Sequence, residues 1–361
     1  MLPDEGSRKR NKVRLATEAL QPGMVTAEPV LNASGAVIAW QDRELDEMLI
    51  ARLQGMGIGN LMVYAREVVA AGREQAVEWH AGKSPEVFRR QCEADVDRFK
   101  DMFLHISNGG ALDLETTDLL VESVLDMSQD KGSIVDYTLQ IRGVDAYTYE
   151  HCVSVSLISL MLGGWMRMQE EDLESLVRAA MLHDIGKGRV PLNILNKEGP
   201  LTEREYKEMK KHPELGYHVI KSEVKPDVSF AVLTHHERED GSGYPLGFRA
   251  DQLRISAKIL AIADVFSAMT ANRVYRKHVS PFRVFELMQN DSFGRLDPIV
   301  LDVFLKNIAH YYVDKSVLLT DGLKGKVIFM NAQDYSRPVV QTERGFVDLL
   351  GMKNLSISEV F

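Results

Sequence analysis

The chain has 361 residues, 45% hydrophobic and 26% charged, a soluble composition long enough for two or three domains. A formal net charge of −9 argues against a general nucleic-acid coat, so no DNA partner is expected, while leaving room for a local basic pocket holding a small anion. Two cysteines, Cys92 and Cys152, lie far apart without metal-type spacing, and no apolar run reaches membrane-span length; a reducing cytoplasm, no disulfide framework and no membrane insertion are expected.

Residues 1–11 read as a disordered leader, and residues 12–66 as a small α/β module. In the module, Gln21-Pro22-Gly23-Met24 signals a turn, Val25–Val30 and Ala36–Trp40 are β-like around the turn residues Asn32-Ala33-Ser34-Gly35, and Leu45, Met48, Leu49 and Leu53 mark a short amphipathic helix. A last strand is expected over Asn60–Tyr64. With no His, no Cys and no Gly-rich loop, this module shows no visible chemistry.

Residues 67–136 carry apolar positions at helical spacing, among them Phe88, Phe99, Met102 and Phe103, and read as a helical connector or dimerisation surface, so a homodimer is one partner expectation. Residues 137–312 are densely helical, and Thr202 with Glu205 three residues on is a capping box. Residues 313–361 return to β-like pieces at Val317–Leu319, Gly325–Met330 and Pro338–Gln341, read as a short appendage packed on the helices.

The chemistry concentrates in the helical region. Leu173, Leu176, Val177, Ala180 and Met181 make one apolar face of a helix that reads up to His183-Asp184, where Gly186 can take the positive φ that stops it. An adjacent imidazole and carboxylate at a helix end suit a divalent cation, because the carboxylate has two oxygens and can bridge two ions. Further on stand His151, His212-Pro213, and His235-His236-Glu237 followed by Asp240-Gly241-Ser242-Gly243-Tyr244-Pro245. Taken alone, His235 on the stripe of Val228, Ala231 and Val232 reads as a core histidine. Asp264 lies in Ile259-Leu260-Ala261-Ile262-Ala263-Asp264-Val265-Phe266, apolar nearly all round; a carboxylate buried there needs a metal ion, an arginine or a hydrogen-bond network. A zinc-peptidase reading of His236-Glu237 is rejected, because Asp240 stands where the second histidine is required.

Together these elements resemble the HD-GYP family, the bacterial branch of the HD superfamily that hydrolyses cyclic di-GMP; the resemblance covers about residues 140–312. It implies a mainly α protein, with an all-α HD-type catalytic domain over residues 137–312 between the N-terminal module and the β appendage. It further implies a centre of two divalent metal ions, Fe or Mn, in which Asp184 bridges, His151, His183 and Asp264 complete one site, His212 and His235 the other, and His236 is a further ligand. Tyr147 stands where some members carry a third-metal glutamate. A bridging water activated by the cations is the implied nucleophile, and Lys187 donates to a phosphate oxygen beside Asp184. Gly243, Tyr244 and Pro245 border the substrate, and Arg273 and Arg276 contact it from one helical face. Asp145 matches a guanine-reading position, with a helix N-cap as its plain alternative, and a family contact position is occupied here by Ser267. The implied outcome is cleavage of cyclic di-GMP to pGpG and onward to GMP, lowering a messenger that affects motility and biofilm behaviour. Alternatives are a catalytically weak receptor for cyclic di-GMP or a partner protein, and a phosphodiesterase for another cyclic dinucleotide. With no recognisable sensor domain, regulation through a protein partner is expected.

Overall fold

The computed structural model describes residues 11–32, 37–65, 83–140, 147–270, 279–291 and 294–361. Residues 1–10 of the proposed leader, residues 33–35 of the proposed turn, and Asp145, Arg273 and Arg276 lie outside the described residues. Two compact units emerge. One contains the described residues up to 65 with 279–287 and 305–361; the other contains those from 83 to 270 with 288–304.

The first unit begins with β1 (Lys12–Ala16), β2 (Val30–Leu31), β3 (Val37–Ala39), α1 (Glu47–Gly55) and β4 (Asn60–Tyr64). β1 pairs antiparallel with β4, and β2 with β3. The strand expected over Val25–Val30 is mostly absent: Val25 and Thr26 form only isolated bridges, to Glu44 and Val63. Pro29 has no N–H for a ladder, and the buried Thr26 hydroxyl instead donates to the Trp40 carbonyl at 2.7 Å. The C-terminal residues form one antiparallel sheet of β5 (Ser316–Leu319), β6 (Lys324–Phe329), β7 (Val339–Thr342), β8 (Gly345–Asp348) and β9 (Ile357–Val360), in the order β8-β7-β6-β5-β9. Only the inner strands were expected. β8 and β9 are the two edges, four residues each, with too little apolar alternation to announce themselves. Ile328, Phe329 and Val339 of this sheet enter the same core as Val13, Leu15, Leu45 and Val63, so the tail and the N-terminal module are one body.

The second unit holds α2 (Pro85–Ser107), α3 (Leu114–Leu125), α4 (Lys131–Gln140), α5 (Tyr147–Trp165), α6 (Glu170–Leu182), α7 (Leu192–Leu195), α8 (Glu203–Met209), α9 (His212–Ile220), α10 (Pro226–Thr234) and α11 (Ile255–Thr270); α12 (Pro281–Asp291) and α13 (Pro298–His310) run in both units. Helix starts follow from local chemistry: Ser84 and Asp113 cap α2 and α3, and Thr202 and Glu205 form the expected box at α8. α5 and α11 are buried on almost every side, as their continuous apolar sequences require, and they pack together with α6. The helices before residue 136 join this body rather than stand apart: Phe103 meets Tyr149 of α5 edge-on, with ring centroids 5.3 Å apart. Among the described residues, no helix is long and apolar enough to cross a membrane.

Candidate metal centre

Five imidazoles and two carboxylates meet where α5, α6, α9, α10 and α11 converge. His151 lies in the first turns of α5, and His183 and Asp184 just after α6. His212 opens α9, His235 and His236 follow α10, and Asp264 sits in the middle of α11. His183 and His235 are fully buried, and Asp184 is 1% exposed.

Gly186 does not have positive φ, contrary to the expectation of a glycine helix stop. Its requirement is space. A Cβ there would lie 2.0 Å from the His212 carbonyl oxygen and 2.3 Å from the Gly216 nitrogen, so the missing side chain lets the turn after Asp184 press directly onto α9. That contact brings His212 Nε2 to 3.2 Å from Asp184 Oδ1.

The ring orientations define what the cluster can bind. His183, His212 and His235 each place Nδ1 at 2.7–2.8 Å from the backbone carbonyl three residues earlier, of Ala180, Met209 and Val232. A carbonyl only accepts, so each Nδ1 carries the hydrogen and each Nε2 presents a bare lone pair. His212 Nε2 and His235 Nε2 then lie 3.3 Å apart. His183 Nε2 and Asp184 Oδ1 have no hydrogen-bond donor. His151 Nδ1 lies 3.0 Å from Ser267 Oγ, which donates onward to Ser154 Oγ at 3.2 Å. His151 Nε2 lies 3.0 Å from Asp264 Oδ1, and because a carboxylate only accepts, Nε2 donates to Asp264 while the hydroxyl of Ser267 meets Nδ1. Lone pairs as close as those of His212 and His235 repel unless a cation lies among them.

Electrostatics agrees with that reading. Burial pushes His183 and His236 down, His212 to about 4 and His235 to about 3, so the rings are neutral ligands. Burial alone would raise Asp184, but the ammonium of Lys187 holds it well below the carboxylate range. Lys187 Nζ donates to Asp184 Oδ2 at 2.5 Å and its side chain is 22% exposed. A merely structural buried carboxylate looks different: Asp95 accepts hydrogen bonds from Gln91, Ser123 and Arg98.

The donor set fits divalent metal ions. His151, His183 and Asp184 converge as one group, and Asp184, His212, His235 and His236 as a second, with Asp184 common to both. Asp264 reaches toward each side, 3.0 Å from His151 Nε2 and 3.6 Å from His236 Nδ1.

The depressed histidines also fix how the metal-free protein responds to acid. Unfolded imidazoles bind protons near pH 6.5, whereas His212 and His235 in the fold resist until about pH 4 and 3. Between these limits the unfolded chain takes up more protons, so stability falls as pH falls. The urea midpoint of metal-stripped protein is expected to be lower at pH 5 than at pH 7. An equal or higher midpoint at pH 5 contradicts the assignment of neutral buried rings.

The loop after His236 is held by a residue to which the sequence reading assigned no role. Glu237, 2% exposed, accepts backbone N–H groups from Leu246 at 2.6 Å, Gly247 at 3.1 Å and Phe248 at 3.0 Å. It therefore anchors the loop and is no metal ligand. Gly243 is required here because a Cβ would fall 2.4 Å from the Glu237 Cα, so its close approach is to the chain's own backbone. The loop places the Tyr244 ring 4.7 Å from His236, with Pro245 joined through a cis peptide. Burial, with Tyr206, Asp264 and Asp184, raises the Tyr244 phenol, which keeps its hydrogen.

Ser267 is buried and bonded to His151, so it orients that ring. Its position three residues after Asp264, on the same helical face, was the available signal. Burial raises the Glu150 carboxyl, and the Tyr147 side chain lies outside the described residues.

A helical unit that gathers histidines around a buried His-Asp pair in this way is a divalent-metal-binding HD-type domain. A family model described as an HD domain matches residues 139–300. The chain is 31% identical over 243 residues to a cyclic di-GMP phosphodiesterase of Pseudomonas aeruginosa, covering 66% of this chain and 58% of that protein. It is 36% identical over 165 residues to a cyclic di-GMP phosphodiesterase of Thermotoga maritima, covering 45% of each. It is also 33% identical over 194 residues to the 3'3'-cGAMP-specific phosphodiesterase 1 of Vibrio cholerae, covering 53% of this chain and 44% of the relative. The chain thus spans about half the length of these relatives. With its His183-Asp184 pair, its double histidine and its Gly243-Tyr244-Pro245 loop, the chain carries an HD domain over residues 139–300 and is similar to these cyclic-dinucleotide phosphodiesterases.

Proposed function

We propose that this protein is a metal-dependent phosphodiesterase that opens cyclic di-GMP to pGpG, with GMP as a further product, using two Fe or Mn ions. The observation carrying the reading is the convergence of bare histidine nitrogens on Asp184 beside a charged lysine. His151, His183 and Asp264 would hold one ion, His212, His235 and His236 the other, with Asp184 shared. When bound, such cations lower the pKa of water and neutralise charge on a phosphodiester undergoing in-line displacement.

The chain's own groups supply the rest. Carbonyls of Ala180, Met209 and Val232 keep three rings in the ligating tautomer, and Ser267 holds the orientation of the His151 ring through Nδ1. Lys187 is kept protonated against burial by Asp184 and is in reach to donate to a phosphate oxygen as charge builds. Tyr244 offers its ring to a base and its hydroxyl to a phosphate. Arg273, Arg276 and Asp145 are proposed to complete recognition of the second phosphate and a guanine edge, with Gly243 and Pro245 shaping the border.

A second reading, hydrolysis of another cyclic dinucleotide, is favoured by the relative from Vibrio cholerae whose name specifies 3'3'-cGAMP. The test is anaerobic purification, metal content per chain, and turnover of cyclic di-GMP beside 3'3'-cGAMP. About two Fe or Mn per chain with preferred release of pGpG is the expected result. Preferred cleavage of 3'3'-cGAMP moves the assignment to the second reading. No turnover of either by metal-loaded protein overturns the enzyme.

A further inference from the structure

Beyond the metal ligands and the residues that the family resemblance brings to the substrate, one cation at the rim has no carboxylate to answer it. Lys210 ends α8, two residues before His212. Its ammonium lies 5.0 Å from the centroid of the Tyr206 ring and 4.7 Å from that of Tyr244. Three other lysines of this region pair with carboxylates: Lys211 with Glu208 at 2.8 Å, Lys197 with Glu205 at 2.5 Å, and Lys187 with Asp184. Among the described residues, Lys210 makes no ion pair and donates no side-chain hydrogen bond.

We infer that Lys210 is a further substrate-contacting residue, holding a phosphate oxygen of the cyclic dinucleotide away from the group being cleaved. The inference rests on the proposed function and adds a residue to it. Two aromatic faces hold the ammonium without removing its donors, because a ring attracts the charge but accepts hydrogen bonds poorly. The charge is therefore positioned and still available. Its position suits a second phosphate. Tyr244 separates it from His236 through two ring contacts of 4.7 Å each, so it borders the metal cluster without joining it. A substrate with two phosphates, one of them at the metals, brings the other to the rim, where an ammonium with three donors is suited to receive it. A purely structural role, pinning the loop to α8 through Tyr244, is the competing account.

The experiment compares the metal-loaded wild type with Lys210→Met, which keeps the aliphatic stem, and Lys210→Arg, which keeps the charge. KM and kcat for the preferred cyclic dinucleotide, and equilibrium binding of a fluorescent cyclic di-GMP, are measured across a range of salt, with metal content and Tm of each variant. We expect Lys210→Met to raise KM and weaken binding about tenfold or more, the effect of losing one charge-assisted hydrogen bond, and to flatten their salt dependence. Lys210→Arg restores most of both, and metal content is unchanged. A lower Tm with KM, binding and salt dependence at wild-type values overturns the contact and leaves the structural pin. If the wild type neither binds nor cleaves a cyclic dinucleotide, the proposed function falls and this assignment with it. If it does so and Lys210→Met matches it, only the Lys210 assignment falls.

Discussion

Replacing Asp184 by alanine is expected to empty both metal groups at once. Its carboxylate is the only group common to the two clusters among the described residues, and its oxygens stand 3.2 Å from His212 and 3.5 Å from His183. Loss of one outer-shell partner of a metal ligand costs about 10–100-fold in affinity or activity. Loss of a shared ligand is expected to exceed about 100-fold on that scale, with phosphodiesterase turnover falling to background. Metal analysis and turnover check this. Asp184→Asn serves as the second variant, because it keeps the side-chain shape beside Lys187 while losing the charge. Wild-type metal content in either variant would show that the ligands are organised around some other group.

The second large effect is expected at a residue with no side chain. Gly186→Ala puts a methyl group against the His212 carbonyl and the Gly216 backbone, and neither is the movable end of a flexible chain. Overpacking a tight site costs about 1–3 kcal/mol and occasionally more. With backbone on both sides, about 3 kcal/mol is expected, a fall in Tm of roughly 6–12 °C for a unit of this size. Metal content is expected to fall too, since α9 carries His212 and must move to make room. A variant with unchanged Tm and full metal would refute the close-approach role of Gly186.

Much of the site was legible because its ligands sit at element boundaries. His183 after α6, His212 at the start of α9 and His235 after α10 each lie where periodicity stops, and each boundary carries a local signal. Asp264 was legible for the opposite reason, as a carboxylate in an unbroken apolar helix. What stayed hidden was contact between segments distant in sequence. Gly186 against His212, Ser267 against His151 and Lys210 between two tyrosines depend on how helices pack, and single-sequence periodicity carries no such information. The shared core of the N-terminal module and the C-terminal sheet was hidden likewise, since more than two hundred residues of chain separate them.

Glu237 ties the Gly243-Tyr244-Pro245 loop to the double histidine mechanically. It follows His236 directly in the chain, and its carboxylate holds the backbone of residues 246–248. The Gly243-Tyr244-Pro245 segment is thus closed into a ring whose base is the double histidine, and the backbone of Gly243 rests on that base.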